Sequence, residues 1–185
     1  MEFVYPKDNE EFFISIAEKI GLEKICFIYY SPNPDILKKV KTLQNRTKIT
    51  ILTAKEANNK SKTDLTISRS YDPVTTRNLI EKGKADYILG MEFHKEKDYM
   101  RQMNSGMNHV LAKLAKQKKV SFAFPFNEWL ELSEKQRCVV LARFMQNVSL
   151  YKKYNLKVEV SSFTDSAYGM RPEMQSFERL FQLKN

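Results

Sequence analysis

The sequence has few of the residues on which several protein classes depend. Its 185 residues include two cysteines, five glycines and two histidines. Cys26 and Cys138 do not have the close spacing of a disulfide framework or a zinc site, so we expect both to be buried, reduced thiols. His94 and His109 are too few for a catalytic metal site built from several imidazoles. These counts argue against disulfide-rich and histidine-rich metal proteins.

The sequence also lacks the motifs of common catalytic and nucleotide-binding sites. It contains no GxSxG, GxGxxG or GxxxxGK[ST] pattern. No apolar run approaches the roughly 18 residues of a membrane span. Residues 1–9 do not have the charged-then-apolar profile of a signal peptide. We therefore expect a cytoplasmic protein with no membrane partner and no active site of its own.

Basic residues are abundant and clustered. The chain has 31 Lys and Arg against 22 Asp and Glu, a formal net charge of +9, which suits a polyanionic partner such as RNA. The charges form three clusters: Lys38, Lys39, Lys41, Arg46 and Lys48; His109, Lys113, Lys116, Lys118 and Lys119; and Lys152, Lys153 and Lys157. In the second, the i, i+4, i+7 spacing of the first three residues predicts a ridge on one helix face. Because a solvated helix face is also commonly lysine-rich, charge alone leaves both interpretations open.

Short β-rich runs alternate with stretches of helical spacing. The predicted strands are Phe3–Tyr5, Lys24–Tyr30, Lys48–Thr53, Leu65–Ser68, Tyr87–Leu89, Val120–Phe124 and Val158–Ser161. This alternation requires right-handed crossovers and a mostly parallel sheet, yet the chain is shorter than the ~250 residues typical of an eight-fold barrel. We expect a single α/β domain over residues 1–185, a reduced TIM-like barrel of about seven strands with outer helices. An open doubly wound sheet is the alternative.

Several helix starts are marked in the sequence. Asp8 with Glu11 predicts the first helix start. Asn33-Pro34 and Asp72-Pro73 each pair a capping side chain with proline at the first helical position, and Ser133 with Gln136 predicts the capping box of a long helix. That helix should bury Val140, Leu141, Phe144, Met145, Val148 and Tyr151. Asn104 is predicted to start another, with Met107, Val110, Leu111, Leu114 and Ala115 facing inward.

The last predicted helix runs from Pro172 to about Leu183 and places Arg171 at its N-cap, with Met174, Phe177, Leu180 and Phe181 on one face. Arginine offers no acceptor for the free backbone N–H groups there. This predicts an RNA-phosphate site at the helix start. An ion pair with Asp165 or Glu173 is the alternative.

Glu92 and His94, two residues apart after a strand, are the one candidate pair for metal ligation or acid-base catalysis. Charged neighbours surround them in sequence, so we favour a solvated loop at this point.

The segment from Asp98 to Lys116, DYMRQMNSGMNHVLAKLAK, leads into an apolar strand and then Trp129. Its core, N-S-G-[LM]-N-x-V-L-x-K-L-A-K, resembles ribonuclease P protein component 3 of archaea and its eukaryotic counterpart. The resemblance extends from about Tyr87 to Leu183 and is only architectural before that.

The resemblance implies a barrel similar to the polymerase and histidinol phosphatase (PHP) superfamily, without its metal ligands. It implies a subunit of the tRNA 5′-end endoribonuclease, in which the RNA subunit cleaves with its own magnesium. The implied partners are ribonuclease P RNA, precursor tRNA, protein component 2 and other ribonuclease P proteins. The expected RNA or partner contacts are Arg69, Arg77, Arg101, His109, Lys113, Lys118, Lys153 and Arg171, together with Lys116 from the ridge. A divergent PHP-type metal-dependent phosphoesterase and a generic structured-RNA-binding module are the alternatives.

Overall fold

A computed structural model of the chain describes residues 1–57, 63–70, 72–95, 97–98 and 103–183. Within these ranges the strands are β1 (Glu2–Val4), β2 (Lys24–Tyr29), β3 (Thr50–Glu56), β4 (Leu65–Arg69), β5 (Tyr87–Leu89), β6 (Ser121–Pro125) and β7 (Val158–Ser161). The α-helices are α1 (Glu10–Lys19), α2 (Pro34–Gln44), α3 (Pro73–Glu81), α4 (His109–Lys118), α5 (Phe126–Leu130), α6 (Glu134–Tyr154) and α7 (Glu173–Leu180). Two short 3₁₀ turns cover Met91–Phe93 and Ala167–Gly169.

The sheet is parallel throughout and nearly closes on itself. Its strands are paired in sequence order from β1 to β7. After β7 the chain bonds to β1: the Phe163 N–H donates to the Phe3 carbonyl at 3.1 Å, and the Tyr5 N–H donates to the Thr164 carbonyl at 2.8 Å. The prediction of a reduced TIM-like barrel is therefore confirmed, and the open sheet was the wrong alternative.

Side chains fill the barrel interior. The buried residues that cluster there are Phe3, Cys26, Ile28, Ala54, Ile67, Tyr87, Leu89, Ala123 and Phe163. Phe3 stacks on Phe163 with 5.2 Å between ring centroids. Alternate strand residues point outward and are covered by the helices, which explains why these strands are apolar on both faces. Burial of Cys26 is confirmed, whereas Cys138 lies exposed on α6, contrary to our expectation.

The helix starts that depend on local signals agree with the structure. The Ile36 N–H donates to Asn33 Oδ1 at 2.8 Å, and the Thr75 N–H donates to Asp72 Oδ1 at 2.7 Å. Ser133 and Gln136 form the capping box of α6. At α1 the prediction was wrong, because Asp8 has a left-handed φ of 59° and the helix begins at Glu10, after Asn9.

The start of α4 was also predicted wrongly. The helix begins at His109, where Asn108 Oδ1 accepts the Leu111 N–H at 2.9 Å. Gly106, with φ +77°, interrupts any helix that would begin at Asn104, and its Cα lies close enough to Met91 that a side chain would crowd there. Val110 is consequently 71% exposed instead of facing inward.

Two other inward assignments fail, because Met145 on α6 is 54% exposed and Leu180 on α7 is 75% exposed. A short helix, α5, follows β6 directly and had not been predicted.

Candidate nucleic-acid interface

The basic ridge on α4 has the exposure predicted for it. His109, Lys113, Lys116 and Lys118 are all exposed. The opposite side of the helix buries Leu111, Ala112 and Ala115 against the barrel. The period of the helix thus separates a positive outer face from an apolar inner face.

The end of α6 lies against this ridge. His109 Nδ1 is 3.1 Å from the Tyr154 hydroxyl, and Lys116 Nζ donates to the Asn155 carbonyl at 2.9 Å. Lys153 Nζ lies 5.9 Å from the centre of the Tyr154 ring. Two clusters that are separate in the sequence therefore form one basic surface. The α4–α6 basic surface consists of His109, Lys113, Lys116, Lys118, Lys119, Lys152 and Lys153.

The charges of this surface are not neutralised locally. Among the residues that the structure describes, no carboxylate pairs with its lysines, all of which are exposed. Lys157 does not belong to it, because its ammonium group pairs with Glu159 at 3.1 Å.

The lysine cluster on α2 differs, since much of its charge is paired. Lys39 Nζ bonds to Glu10 at 2.8 Å, and Lys38 and Arg46 approach Asp35 and Glu11, each at 3.8 Å. Among the described residues, the larger group of positive charges without a carboxylate partner therefore lies at α4 and α6.

Both helices end at this surface. Lys119, at the end of α4, has a φ of 57°, and Asn155, at the end of α6, has a φ of 50°. Helix C-termini carry partial negative charge, so part of the lysine enrichment is explained by the helix dipoles alone. The remaining side-chain donors are free to reach phosphates, and contacts of that kind position RNA without reading its sequence.

Arg69 lies at a different place, where the carboxyl ends of β3 and β4 meet. Its Nη1 and Nη2 atoms each donate to a Glu128 oxygen at 2.7 Å, and its Nε donates to Glu56 at 3.4 Å. The Tyr5 hydroxyl donates to the other Glu56 oxygen at 2.6 Å. This is the end of the barrel where TIM-barrel enzymes place their active sites.

The residues at this barrel end do not fit a metal site. Glu56 and Glu128 are already bound by a guanidinium group. In the described ranges, no group of three or more His, Cys, Asp and Glu side chains is arranged to hold a metal ion.

The remaining predicted contact residues are scattered. Arg77 is exposed on α3 and pairs with Glu81 at 2.6 Å. Arg171 is exposed, but α7 begins at Glu173 and its N-cap is Pro172, so the predicted N-cap position of Arg171 is wrong. The Arg171 carbonyl accepts the Met174 N–H at 3.2 Å. Arg101 lies outside the described residues.

The ion pair suggested for Arg171 is not found in the described part of the chain. One of its two proposed partners, Asp165, pairs with Lys7 at 2.6 Å.

The solvated loop expected around Glu92 and His94 is a further correction, because these residues are 3% and 4% exposed. Asn147 Nδ2 donates to Glu92 Oε1 at 2.8 Å and to the Ser105 carbonyl at 2.9 Å. His94 Nε2 bonds to the Asn104 carbonyl. Burial raises the pKa of Glu92 to about 7, against the opposing effect of the hydrogen bond from Asn147.

Arg143 fastens the segment after β5 to α6. Its Nε donates to Asp98 at 2.9 Å, and its Nη1 donates to the carbonyls of Glu92 at 3.1 Å and His94 at 2.8 Å. Burial pushes the pKa of Asp98 up, but the hydrogen bonds from Arg143 and from the Asn104 N–H, together with the charge of Arg143, outweigh it and hold the pKa below the usual range. The Asn104 N–H also donates to this carboxylate at 2.7 Å. Asp98 therefore links Arg143 to Asn104, which lies in the segment before α4.

Sequence reasoning missed Arg143 and Asn147. The available signal was that Arg143 is the one charged residue between Arg137 and Lys152, in a helix that is otherwise apolar or neutral there.

Within the described residues, no helix is both long enough and apolar enough to cross a bilayer.

The fold and the surface together define a nearly closed, seven-stranded parallel barrel whose outer helices carry an uncompensated basic face. The chain is similar to Ribonuclease P protein component 3 of Methanococcus maripaludis, with 26% identity over 112 residues, which is 60% of this chain and 45% of that relative. Ribonuclease P protein component 3 of Methanococcus vannielii is 26% identical over 95 residues, 51% of this chain and 38% of the relative. The resemblance identified in the sequence is confirmed.

The matched segment spans less than half the length of these curated relatives. No family model matches the chain.

Solved structures agree on the fold. A chain of an archaeal ribonuclease P structure, determined by cryo-electron microscopy with mature tRNA, superposes with a TM-score of 0.80 at 18% identity and covers 98% of this chain and 81% of that one. A crystal structure of an amidohydrolase superposes with a TM-score of 0.52 at 6% identity, over 90% of this chain and 65% of that one. At these identities the superpositions establish the barrel architecture.

Proposed function

We propose that this chain is a protein subunit of ribonuclease P and supports the catalytic RNA in 5′-end maturation of precursor tRNA by binding and stabilising RNA. The observation that carries the proposal is that the stretch in which the sequence resembles protein component 3, about Tyr87 to Leu183, builds the α4–α6 basic surface. Lys113, Lys116 and Lys118 all lie in that segment and have no carboxylate partner among the described residues. A polyanion is the ligand that this surface suits.

In this proposal the protein and the RNA divide the work. The RNA subunit cleaves the phosphodiester with magnesium that it binds itself, and this chain binds no cofactor and contributes no catalytic residue. The α4–α6 basic surface holds phosphates of folded RNA, so fewer magnesium ions are needed to keep the RNA compact. The other partners are precursor tRNA and ribonuclease P protein component 2, and the complex works in the cytoplasm.

Contacts from α6 to the segment before α4 support this role indirectly. Asn147 Nδ2 donates to the Ser105 carbonyl at 2.9 Å and Gln146 Nε2 donates to the Met103 carbonyl at 3.1 Å, so this segment is held against α6. A rigid surface loses less conformational entropy when RNA binds than a flexible loop does.

Reconstitution tests the proposal. Cleavage of precursor tRNA by the RNA subunit is measured at limiting magnesium, with component 2 and with or without this chain. The wild-type chain should raise the cleavage rate, and a Lys113→Ala/Lys118→Ala variant should lose most of that gain. Lys38→Ala/Lys41→Ala on α2 removes the same charge from another exposed helix and should keep it.

Two results would contradict the proposal. One is a wild-type chain that gives no stimulation, and the other is an equal loss of stimulation in both variants, which would point to net charge alone. Competition with an unrelated structured RNA separates a ribonuclease P subunit from a generic RNA-binding module, because a generic module would be displaced equally well by either RNA.

A further inference from the structure

A cleft lies between the segment after β5 and the first turns of α6. Its volume is about 350 Å³. Lys135 at the cleft and Lys152 of the α4–α6 basic surface are about 25 Å apart along α6, at about 1.5 Å per residue. The cleft is therefore a feature separate from the α4–α6 basic surface.

The walls of this cleft are apolar and held in place. The side chains that form them are Phe93, Leu132, Val139 and Val140. Phe93 packs on Phe124, with 5.9 Å between ring centroids. The Arg143 guanidinium donates to the His94 carbonyl at 2.8 Å and so ties this side of the cleft to α6. The cleft is thus preformed, and its size is within the range of small-ligand sites.

His94 supplies a buried polar atom to the cleft. Its ring lines the cleft and is 4% exposed. The Nε2 atom bonds to the Asn104 carbonyl, and because a carbonyl can only accept, Nε2 carries the proton of that bond. Nδ1 of the neutral ring is then an acceptor, and it is buried without a hydrogen-bond partner among the described residues. Since buried acceptors are normally satisfied, Nδ1 is suited to a donor brought by a ligand.

Two cations stand at the same cleft. Lys95 and Lys135 line it and are exposed, and no carboxylate among the described residues pairs with either. Positive charge beside an apolar cleft suits a ligand that has an apolar body and an anionic group.

The apolar walls, the buried acceptor and the two lysines together select one class of ligand. A fatty acid would contact the walls and the lysines but has no donor for His94 Nδ1. An inorganic phosphate would leave the apolar walls uncovered. A nucleotide has all three features, namely a flat base with two apolar faces, N–H donors on the edge of that base, and a phosphate. The base must be unpaired, because pairing and stacking in a duplex occupy its edge and its faces.

We propose that this cleft is a binding site for an unpaired nucleotide of RNA. The base lies against Phe93 and Val139, one of its N–H groups donates to His94 Nδ1, and Lys95 and Lys135 bind the adjacent phosphates. The inference rests on the proposed function, since the RNA of ribonuclease P or its precursor tRNA is the expected source of the nucleotide. It adds to the α4–α6 basic surface a contact that only a single-stranded segment can make.

The first test compares two RNAs of equal length, a single-stranded oligoribonucleotide and a fully paired hairpin. Binding to the full chain is measured by fluorescence anisotropy. Every protein carries Lys113→Ala/Lys118→Ala, which weakens competing contacts at the α4–α6 basic surface.

Two further variants are made at the cleft, each with a matched control. Val139→Phe fills the cleft, and Val110→Phe makes the same change at an exposed residue on α4. Lys135→Glu reverses one charge at the cleft, and Lys41→Glu does so on α2. Thermal unfolding verifies that each variant folds, and Lys135→Glu, at an exposed position, keeps the test decisive if Val139→Phe does not fold.

Val139→Phe should weaken binding of the single strand by about ten-fold, the effect of losing one stacked base, and should leave hairpin binding within about three-fold. Lys135→Glu should weaken single-strand binding by a similar factor, whereas both controls should stay within about three-fold. Single-strand binding that is equal in each variant and its control would overturn the nucleotide site. So would equal losses for the single strand and the hairpin.

A second test addresses the hydrogen bond to His94 without altering the protein. AMP has an amino group on its base, and purine ribonucleoside 5′-monophosphate has a hydrogen in that place. In NMR titrations AMP should shift the amide signals of Val139 and Val140 and bind about ten-fold more tightly than the analogue. Equal affinities would overturn the contact with Nδ1. AMP binding with exclusion of the oligoribonucleotide would overturn RNA as the source, in favour of a free nucleotide.

Stimulation of precursor-tRNA cleavage, measured in parallel, tests the proposed function separately. Single-strand binding that depends on Val139, with a wild-type chain that does not stimulate the RNA subunit, would leave the nucleotide site standing and refute the proposed function. Stimulation by the wild type, together with unchanged single-strand binding by Val139→Phe and Lys135→Glu, would do the reverse.

Discussion

Replacing Glu92 by Gln should increase the stability of the protein at pH 8 more than at pH 5. In the folded protein, burial raises the pKa of Glu92 from its ordinary value of 4.5 to about 7. Between these two values the folded state holds a proton that the unfolded state has released. Stability therefore falls as the pH rises through this interval.

The size of the effect follows from the width of that interval. At about 1.4 kcal/mol per pH unit, the interval from 4.5 to about 7 corresponds to a loss of roughly 3 kcal/mol of unfolding free energy by pH 8. Gln has the shape of the protonated carboxyl and can still accept the hydrogen bond from Asn147 Nδ2. The Glu92→Gln variant should lack this loss while keeping the contact.

Urea unfolding followed by circular dichroism at pH 5 and pH 8 gives the two free energies for each protein. Glu10→Gln serves as the control, because Glu10 is also buried but its pKa is lowered: burial raises it, and the bonds from Lys39 and Tyr29 outweigh the burial. The contribution of Glu10 to stability changes only below about pH 4.5, so the difference in unfolding free energy between Glu10→Gln and the wild type should be constant from pH 5 to pH 8. Two results would contradict this reasoning: a Glu92→Gln variant whose gain in unfolding free energy is the same at pH 5 and pH 8, or a wild type that is more stable than the variant at both pH values. Either would show that Glu92 is ionised and pairs with Arg143.

Three further outcomes are expected. Arg143→Ala removes the donor to the buried Glu92 and His94 carbonyls and the guanidinium partner of Asp98, and should cost about 3–5 kcal/mol in urea unfolding; a cost below about 1 kcal/mol would contradict the anchoring role. Arg69→Lys loses the bidentate pairing with Glu128 and should lower the free energy of unfolding by about 1–2 kcal/mol, while the variant still stimulates cleavage by the RNA subunit; unchanged stability with lost stimulation would make Arg69 an RNA contact. Lys113→Ala/Lys116→Ala should change unfolding by less than about 0.5 kcal/mol per site and reduce the salt slope of RNA binding by about one per lysine; an unchanged slope would remove these lysines from the interface.

Features that depend on neighbours in the sequence were predictable. The capping side chains of Asn33 and Asp72 accept N–H groups three residues away, so the starts of α2 and α3 depend only on nearby residues in the sequence. The alternation of strands and helices, combined with the handedness of crossovers, left few topologies to consider. The exposure of the α4 ridge followed from the helical period, although the true start of the helix lies at His109.

The predictions that proved wrong depend on contacts between residues that are far apart in the sequence. Glu92 and His94 have charged sequence neighbours, yet α6 covers them: Arg143 donates to the His94 carbonyl and Asn147 donates to the Glu92 carboxyl group. The predicted helix start at Asn104 was wrong, because Gly106 turns the backbone to a left-handed conformation and the Asn104 N–H bonds to Asp98 instead.

The sequence by itself determined a mostly parallel α/β sheet with outer helices, since apolar strands, helical periods and chirality act over short distances along the chain; its closure into a barrel depends on hydrogen bonds between the segment after β7 and β1. It also determined the excess of positive charge, but not where that charge remains uncompensated. The tertiary structure decided this, because it brings Glu10 to Lys39 on α2 and leaves Lys113 and Lys153 on α4 and α6 without a described carboxylate partner. Electrostatic compensation depends on distances in space, and only the packing of the helices around the barrel sets those distances.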